Sequence, residues 1–470
     1  MCDDRNPLHC FIPPYMLERM AQSPKTLVSA RAIANLTSSS AFLASRLTAR
    51  TMPSMHAIKS PDGRKHRVIH DAKGTDNLPG VVVRKEGQAA TGDKATDEAY
   101  DGSGDVYDFY AQLFERNSLD DSGMSLVSTV HVAEVDFNGD HVPLSNAYWN
   151  GSQMAYGDGD DLVFKRFTGS LEVIGHELTH GVQSFTSNLD YRGQSGALNE
   201  HFADVFGMLV RQWKQGTSAA ESDWVVGKEL LVPAPTRRGI RDMEKPGTAY
   251  SNDPDLGDDP QPATMADLYT GAKDRGGVHI NSGIPNRAFV LVAKALGGNA
   301  WEVAGRIWYE TMLKLASDSQ FVDCAKASIK IASDPRFGPK AKKSRTSGLE
   351  RGRRQGIAKV SQGITIKKVL EMKVCLVQSG GFAGAVKRCE VDTATLEQPE
   401  AEQLQRLVSD SGLNQSSSAF NDEARDLNQY EITIEDDARA ICLTFDEHNV
   451  PASARQLLGF LKQRVKPGKL

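Results

Sequence analysis

The sequence VIGHELTH at residues 173–180, followed by GALNEHFAD at residues 196–204, decides the fold and the chemistry of this chain. On a helix, residues four apart lie on one face, so His176 and His180 can direct both imidazoles at one ion. Two imidazoles suit Zn²⁺, and a catalytic zinc needs a third protein ligand and an open position. The first stretch therefore predicts a helix that carries two metal ligands.

The second stretch supplies the missing ligand. Glu200 lies on the next predicted helix and can offer a carboxylate, and Asp204 lies four residues later on the same face. A carboxylate at that place can accept the spare N–H of a metal-bound imidazole. Glu177 lies one residue round the helix from His176, where a general base can reach the water on the metal. The alternatives are a surface helix with two solvated histidines and a surface charge at Asp204.

Length and composition limit the possible classes of protein. The chain has 470 residues, of which 40% are hydrophobic and 24% charged, which predicts two or three domains of a globular protein. Its net charge of −5 argues against nucleic-acid binding. The apolar runs are shorter than the roughly 18 residues that a transmembrane helix needs.

The N-terminus and the cysteines bear on the compartment. The opening sequence MCDDRNP lacks the basic start and apolar stretch of a secretory signal. The six cysteines are scattered and form no CxxC pair, so reduced thiols are expected. Both observations favour a cytoplasmic protein, with secretion by a leaderless route as the alternative.

Hydrophobic periodicity and composition divide the chain into five consecutive parts. In order, we predict an N-terminal helical segment, a β-rich lobe with the metal helix, an α-helical lobe, a basic linker and a small α+β domain, at residues 1–50, 51–190, 191–335, 336–363 and 364–470. The basic linker is interpreted as solvated, and nuclear targeting or nucleic-acid binding is the alternative.

Individual elements follow from the same patterns. Helices are predicted from Tyr15 to Ala34 and from Glu98 to Asn117. Strands are predicted from Leu126 to Val135, from Ile364 to Val369 and from Met372 to Val377.

Taken in order, these motifs resemble the thermolysin family of zinc metallopeptidases over roughly residues 66 to 335. The resemblance implies an α+β fold in which a β-rich and an α-helical lobe meet at a cleft with one catalytic Zn²⁺. It implies a monomeric neutral endopeptidase that cuts proteins and peptides on the N-terminal side of hydrophobic residues. Two rival interpretations remain, a peptidase-like scaffold that only binds or regulates, and a zinc aminopeptidase.

The resemblance also assigns roles around the metal. The stretch NAYWNGSQM at residues 146–154 resembles the family's edge strand, which implies that Asn146 and the Ala147 carbonyl hold the substrate backbone. Tyr191 and His279 are implied to stabilise the transition state.

Further substrate contacts are implied by the same resemblance. Asp274 is the acid that orients His279, and Arg241 binds the substrate carbonyl on the leaving side. A pocket for the residue after the cut bond is implied, lined by Phe164, Phe167, Val173 and Ile240.

The chain departs from the family where the family binds calcium. Arg211 and Lys228 stand at positions of acids in the double calcium site, and Val225 replaces another, although Asp223 and Glu172 remain. Two cations would repel Ca²⁺, so we expect no calcium there.

Two other stretches leave alternatives open. The acidic loop at residues 253–259 is interpreted as solvated, with calcium binding as the alternative. After Phe337 the basic stretch takes the place of the family's last packed helix, which predicts either a missing or a distorted helix.

The N-terminal segment resembles the short propeptide of protealysins, a subgroup of the family, through FIPPYML at residues 11–17. The resemblance implies that residues 1 to about 50 block the cleft until the chain is cut near Arg50–Thr51. Cys10 could ligate the zinc as a thiolate, and an ordinary buried or free thiol is the alternative.

The C-terminal domain resembles emfourin, an inhibitor of protealysin-type peptidases, over residues 371–463. The matching stretches are QSGGFAG at residues 378–384 and YEITIEDD at residues 430–437. The resemblance implies inhibition by this domain, in cis or in trans. The glycine turn at residues 380–384 is equally compatible with a plain hairpin.

Overall fold

A computed structural model describes most of the chain, in two compact units, one up to residue 337 and one from residue 372 onward. The described residues are 9–36, 60, 62–136, 139–337, 372–379, 387–393, 396, 398–411, 417–419, 429–436, 439–446, 449–464 and 466–467. Within these ranges no helix is long and apolar enough to cross a membrane. Residues 338–363 of the predicted basic linker, the Arg50–Thr51 cut site and the glycine turn at residues 380–384 lie outside them.

The first unit begins with a seven-stranded sheet, in which the order is β1-β6-β7-β4-β2-β3 and β5 pairs with β4. In chain order, strands β1 to β7 are His9–Cys10, Arg67–Thr75, Val81–Lys85, Leu126–Val135, His141–Pro143, Ala147–Trp149 and Met154–Gly157. The predicted strand from Leu126 to Val135 is confirmed with those bounds. Strand β1 comes from the N-terminal segment and pairs antiparallel with β6, so this segment completes the sheet of the lobe that follows it.

The rest of the N-terminal segment forms helix α1, Pro14–Met20, and a second helix, α2, over residues 26–36. The prediction of one helix from Tyr15 to Ala34 is therefore wrong in its middle. Pro24 disfavours the helical conformation at Ser23, because its ring clashes with the preceding residue. The apolar side chains of the segment are buried in the main core, at Phe11, Ile12, Met16, Leu17, Met20, Val28 and Ala32.

Seven further helices cover the remainder of the first unit. Helices α3 to α9 are Lys94–Phe114, Leu171–Ser184, Gly193–Gln215, Lys273–Asn281, Gly283–Leu296, Val303–Met312 and Phe321–Ala332, and the two-stranded ribbon β8–β9 is Val225–Val226 with Arg241–Asp242. Helix α3 begins four residues before the predicted Glu98, because the Asp93 side chain accepts the Thr96 N–H and caps it. It ends before the predicted Asn117, since Glu115 is left-handed.

Helices α4 and α5 touch backbone to backbone at Gly175 and Gly207. A Cβ at Gly207 would lie 2.4 Å from the carbonyl oxygen of Glu172, and one at Gly175 would lie 2.9 Å from the Gly207 Cα. Both distances are too short for any side chain, so only glycine allows this approach. The contact fixes the spacing between the helix that carries His176 and the helix that carries Glu200.

The second unit has its own sheet and its own apolar core. Strands β10 to β15 are Met372–Ser379, Lys387–Asp392, Ser417–Ala419, Gln429–Asp436, Arg439–Asp446 and Lys466–Pro467, in the order β12-β14-β13-β10-β11-β15. Helices α10, Gln398–Asp410, and α11, Arg455–Lys462, complete it. The predicted strand from Met372 is confirmed, and the strand predicted at residues 364–369 lies outside the described residues.

Candidate active site

Helices α4 and α5 bring the three predicted metal ligands together. His176, His180 and Glu200 are buried, and one ligand atom from each lies within 4.8 Å of the others. The two Nε2 atoms are 3.0 Å apart, and Glu200 lies 3.4 Å from His176 Nε2 and 3.5 Å from His180 Nε2. No other group in the described part of the chain has this arrangement of metal-binding side chains.

The hydrogen bonds of the two imidazoles show that the group fits a cation. His176 Nδ1 lies 2.9 Å from Asp204 Oδ1 and His180 Nδ1 lies 2.7 Å from Asn199 Oδ1. These oxygens only accept, so each Nδ1 carries a proton and each Nε2 is the nitrogen left to bind a metal. The two Nε2 atoms face each other next to the Glu200 carboxylate, so one cation could bind all three groups.

Buried carboxylate oxygens point to the same conclusion. Glu177 Oε1 and Glu200 Oε2 are buried and have no hydrogen-bond partner among the described residues. The other oxygen of Glu177, Oε2, accepts the Trp149 backbone N–H at 3.0 Å, which fixes the carboxylate beside the ligands. Burial raises the pKa of Glu177 well above its usual value, with His176 opposing the shift. A carboxyl in this position is suited to take up a proton.

The predicted transition-state pair lies next to Glu200. Tyr191 donates its hydroxyl to Glu200 Oε1, and the same hydroxyl lies 3.1 Å from His279 Nε2. His279 Nδ1 lies 2.7 Å from Asp274 Oδ1, and Asp274 also accepts the His279 backbone N–H. Burial alone would lower the pKa of His279, but Glu200 and Asp274 raise it, which favours a protonated imidazole.

Asp204 connects the metal ligands to Arg241. Arg241 Nε and Nη2 donate to the two Asp204 oxygens at 2.9 and 2.8 Å, while Asp204 Oδ1 also faces His176. Burial alone would raise the pKa of Asp204, but Arg241 and His176 hold it well below its usual range. Asp204 therefore stays ionised and orients both groups.

The N-terminal segment makes the contacts that the resemblance assigns to a substrate. The Phe11 N–H donates to the Ala147 carbonyl at 3.1 Å, and the Ile12 N–H donates to Asn146 Oδ1 at 2.9 Å. Asn146 Nδ2 returns a bond to the Ile12 carbonyl at 3.2 Å. Arg241 Nη1 donates to the Phe11 carbonyl at 3.3 Å. All three predicted backbone-binding groups therefore hold this segment.

The Phe11 side chain packs against two residues of the candidate site, His176 and Arg241. It is fully buried, and its ring meets the His176 ring edge-on at 5.2 Å between centroids. The Arg241 guanidinium lies 4.6 Å from the Phe11 ring centroid. The predicted lining residues are all buried in the same apolar cluster, Phe164, Phe167, Val173 and Ile240.

Sequence reasoning missed two groups of the site. Asn199 orients His180, and its amide is itself fixed because Nδ2 donates to the Leu189 carbonyl at 3.2 Å. A metal-bound histidine needs an acceptor for its second nitrogen, so the sequence could have prompted a search for a second acceptor near Asp204. The Trp149 N–H that holds Glu177 is a backbone group. Because every residue except proline has one, the sequence gives no signal for it.

Cys10 does not join the metal ligands that the structure describes. It packs against a small apolar cluster that includes Val132, Leu144 and Tyr148. This environment favours the interpretation of Cys10 as an ordinary thiol.

The Arg211 guanidinium lies among acids, at the position where the resemblance implies the family's double calcium site. Its Nη1 lies 3.3 Å from Glu172 and donates to the Val225 carbonyl at 3.1 Å, and its Nη2 lies 2.7 Å from Asp223. Lys228 Nζ adds a bond to Asp223 at 3.1 Å. The positive charge that the surrounding acids require is thus supplied by the chain itself.

The prediction that the acidic loop at residues 253–259 is solvated is wrong for two of its acids. Asp253 and Asp255 are buried, and Arg237 bonds to both at 2.7 and 2.9 Å. Lys25 and Ser23 of the N-terminal segment donate to Asp255 at 2.8 and 2.7 Å. The interpretation failed because these cationic partners are distant in sequence.

Comparison with known protein families agrees with this geometry. The model described as "Thermolysin metallopeptidase, catalytic domain" matches residues 46–184, and that described as "Thermolysin metallopeptidase, alpha-helical domain" matches residues 187–347. A third model, Emfourin, matches residues 376–462. The predicted α+β fold of the thermolysin type is thereby confirmed.

Individual relatives share much of the chain. An extracellular metalloprotease of Pectobacterium carotovorum subsp. carotovorum is 46% identical over 306 residues, which cover 65% of this chain and 84% of that protein. Protease PrtS of Photorhabdus sp. (strain Az29) is 52% identical over 273 residues, 57% of this chain and 71% of that protein. The structure of the precursor of protealysin, a metalloproteinase from Serratia proteamaculans, matches with a TM-score of 0.65 and 42% identity, covering 73% of this chain and 99% of that one. The chain therefore belongs to the thermolysin family of metallopeptidases, which are hydrolases, and it carries an emfourin domain after its catalytic lobes.

Proposed function

We propose that this chain is a zinc-dependent neutral endopeptidase, made as a zymogen, that cuts on the N-terminal side of hydrophobic residues. One observation carries the proposal. Three buried ligand side chains converge beside Glu177, and an extended segment passes them along strand β6. This arrangement presents a peptide backbone to a metal and a base together.

Zinc, held by His176, His180 and Glu200, would polarise the scissile carbonyl and activate the attacking water. Glu177 takes a proton from the water and then delivers it to the leaving amine. The Trp149 N–H keeps the Glu177 carboxylate oriented for both transfers. Burial raises the pKa of the Glu177 carboxyl, which makes its ionised form a stronger base toward the water.

Tyr191 and His279 stabilise the oxyanion, where negative charge develops only in the transition state. Their donor atoms lie 3.1 Å apart, so both can point at one oxygen. Asp274 holds the proton on His279 Nδ1 and sets the plane of the ring. The two donors thus lie side by side before the reaction, and Tyr191 only has to turn its hydroxyl proton away from Glu200.

The cleft selects extended chains with a large apolar residue after the cut bond. Strand β6 binds a peptide by strand addition, Asn146 and Ala147 hold its backbone, and Arg241 takes its carbonyl. The buried ring of Phe11, next to His176, supports a site that accepts a large apolar side chain. We propose that residues such as phenylalanine and leucine are preferred there.

The N-terminal segment keeps the enzyme inactive, since it lies on the strand that a substrate would use. We propose that residues 1 to about 50 form the pro-segment and that activity requires a cut near Arg50–Thr51. The similar protealysin structure is that of a precursor, which supports this assignment. The name of the Pectobacterium relative supports action outside the cell.

The Glu177→Gln variant tests the proposed mechanism. After trypsin has cut the pro-segment, we expect the wild-type enzyme to hydrolyse casein and chelators to abolish this activity. Glu177→Gln should lose at least about 100-fold in rate, as expected for a lost general base, and keep its zinc. The matched control is Glu302→Gln, at an exposed glutamate. An active Glu177→Gln enzyme would contradict the mechanism.

The same assay separates the rival interpretations. A wild-type enzyme that binds zinc but never cuts would indicate a regulatory scaffold. Release of only N-terminal residues from peptides would indicate an aminopeptidase. Internal cuts before hydrophobic residues support the endopeptidase.

We further propose that the emfourin domain inhibits the catalytic lobes of its own chain. It has a separate apolar core, and tethering raises its effective concentration to about the millimolar range for short linkers. Deleting residues 361–470 should raise the activity of the trypsin-cut enzyme, and adding the separate domain should lower it. Unchanged activity in both experiments would remove this proposal.

A further inference from the structure

The N-terminal segment crosses the metal ligands as an extended chain with backbone contacts on both sides of one peptide bond. Before that bond, His9 pairs with Trp149 and Cys10 pairs with Tyr148 in an antiparallel register. After it, the Phe11 N–H bonds to the Ala147 carbonyl. The Cys10–Phe11 bond is therefore held from both ends.

The carbonyl of this bond faces the candidate catalytic groups. The Cys10 oxygen accepts a hydrogen bond from His279 Nε2 at 3.2 Å, and the Tyr191 hydroxyl lies 3.1 Å from that nitrogen. The next carbonyl along the chain, that of Phe11, is taken by Arg241 instead. Only the Cys10 carbonyl therefore meets the groups that would stabilise an oxyanion.

The side chain that follows this carbonyl fixes the direction of the segment. The Phe11 ring lies against His176 and below Arg241, in the pocket proposed for the residue after the cut bond. A chain of opposite direction would place that ring before the carbonyl. The segment therefore runs in the direction of a substrate.

We propose that the enzyme hydrolyses its own Cys10–Phe11 bond in cis; this inference rests on the proposed function. Water adds across the amide, so that its hydroxyl joins the Cys10 carbonyl carbon while the carbon–nitrogen bond breaks. Glu177 transfers the proton to the Phe11 nitrogen. The products are a carboxylate at Cys10 and a new amino terminus at Phe11.

This cut releases residues 1–10 but does not open the cleft. The remaining segment keeps the bonds of Ile12 to Asn146 and of Arg241 to the Phe11 carbonyl. It also keeps the ion pair of Lys25 with Asp255 and the buried apolar side chains of helices α1 and α2. Self-cleavage at this bond is thus separate from activation near residue 50.

Mass spectrometry of the full chain tests the cut. Incubation with zinc should yield a chain that begins at Phe11 and a peptide of residues 1–10, at a rate that does not depend on protein concentration. Glu177→Gln should leave the bond intact. Phe11→Ala should slow the cut at least tenfold, because it empties the pocket, while Leu27→Ala, at an exposed residue of the same segment, should not.

A second measurement needs no turnover. Cys10–Phe11 is the only Cys–Phe pair in the chain, so ¹³C-carbonyl cysteine with ¹⁵N-phenylalanine gives one NMR signal from this bond. In the metal-free Glu177→Gln chain, zinc should shift that signal. The Cys–Leu bonds at 375–376 and 442–443, labelled in the same way, serve as controls and should not move.

The outcomes separate this inference from the proposed function. An intact Cys10–Phe11 bond and an unmoved signal, in a chain that hydrolyses casein after trypsin activation, would overturn the self-cleavage and leave the endopeptidase standing. A chain that cuts neither casein nor itself would overturn both. A cut only near residue 50 would also overturn the self-cleavage.

Discussion

His131 adopts a left-handed backbone, with a φ of 53°, inside strand β4. The pairing of β4 with both of its neighbours shifts register around this residue. The irregularity directs the imidazole between Asp158, 2.8 Å from Nδ1, and Asp93, 3.3 Å from Nε2. Since Asp93 also caps helix α3, His131 connects the sheet to that helix.

The ion pairs of His131 make stability depend on pH. The hydrogen bond to Asp158 raises the pKa of His131 to about 9 from 6.5. Because the pKa of His131 is higher in the folded state, its protonation stabilises the folded protein fully below about pH 6.5. This contribution to stability is lost as the pH rises through about 9. Because both acids are half-exposed, we expect His131→Gln to cost about 2 kcal/mol at pH 6 and much less at pH 10.

Urea unfolding at the two pH values measures this difference. His141→Gln, at an exposed histidine, is the control and should change stability by less than about 0.5 kcal/mol at either pH. A cost for His131→Gln that is equal at pH 6 and pH 10 would show that the charge of the ring contributes nothing.

Single residues of the site were predictable where their spacing is local. His176, His180 and Asp204 belong to helical patterns of four residues, and a helix converts such spacing into one face. The burial of Phe11 against Arg241 was not predictable in the same way. Its partner Arg241 lies 230 residues away in sequence. Hydrophobic periodicity shows which face of an element is buried, but it does not show which other residues that face contacts.

Among the elements, helix α5 carries a guanidinium that pairs with two acids near the C-terminal end of the helix. Arg211 neutralises Glu172 and Asp223, and Glu172 is buried. The sequence showed that cations stand where the family has acids. It could not show that one guanidinium would satisfy two carboxylates and a backbone carbonyl, because that geometry depends on the loop that follows the helix.

We therefore expect thermal stability to be independent of calcium. Adding EGTA in the presence of excess zinc should leave the unfolding midpoint unchanged. Arg211→Ala should lower stability by about 3–5 kcal/mol, since it leaves a buried carboxylate without its partner. Calorimetry of both proteins, with and without EGTA, measures these effects.

Lys214→Ala provides the control on the same helix, because Lys214 forms an exposed ion pair with Asp105. Such a pair contributes at most about 1 kcal/mol. A clear drop of the midpoint on adding EGTA to the wild-type protein would show a calcium site that the guanidinium does not replace.

At the scale of the whole molecule, the two units have separate apolar cores. The three proposed zinc ligands all lie in the first unit, so removal of zinc should destabilise that unit by about 4 kcal/mol if free zinc had exceeded its dissociation constant roughly 1,000-fold. The second unit holds none of the three ligands. We expect the unfolding midpoint of the second unit to change by less than about 1 °C when zinc is removed.

Differential scanning calorimetry of the full-length Glu177→Gln protein, with and without a zinc chelator, measures both midpoints. A variant that lacks residues 361–470 identifies which transition belongs to which unit. Equal shifts of both transitions on chelation would contradict the assignment of zinc to the first unit.

The fold of each unit could be predicted because several motifs recur in a fixed order, and each motif constrains its own element. The strand from Leu126 to Val135 and the α+β class follow from local patterns. The addition of β1 to the sheet did not follow from them, because a two-residue strand carries no periodicity. Strand β1 is defined only by its pairing with strand β6.

The touching backbones of helices α4 and α5 have a consequence for reading genomes. The width of the zinc site depends on Gly175 and Gly207, neither of which is one of the three ligands. An alanine at either position would be classified as a conservative polymorphism, because all three ligand residues are unchanged in the sequence. Its methyl group would nevertheless separate the two helices. A genome annotation that identifies active peptidases from their histidines alone would therefore include proteins that have lost their metal.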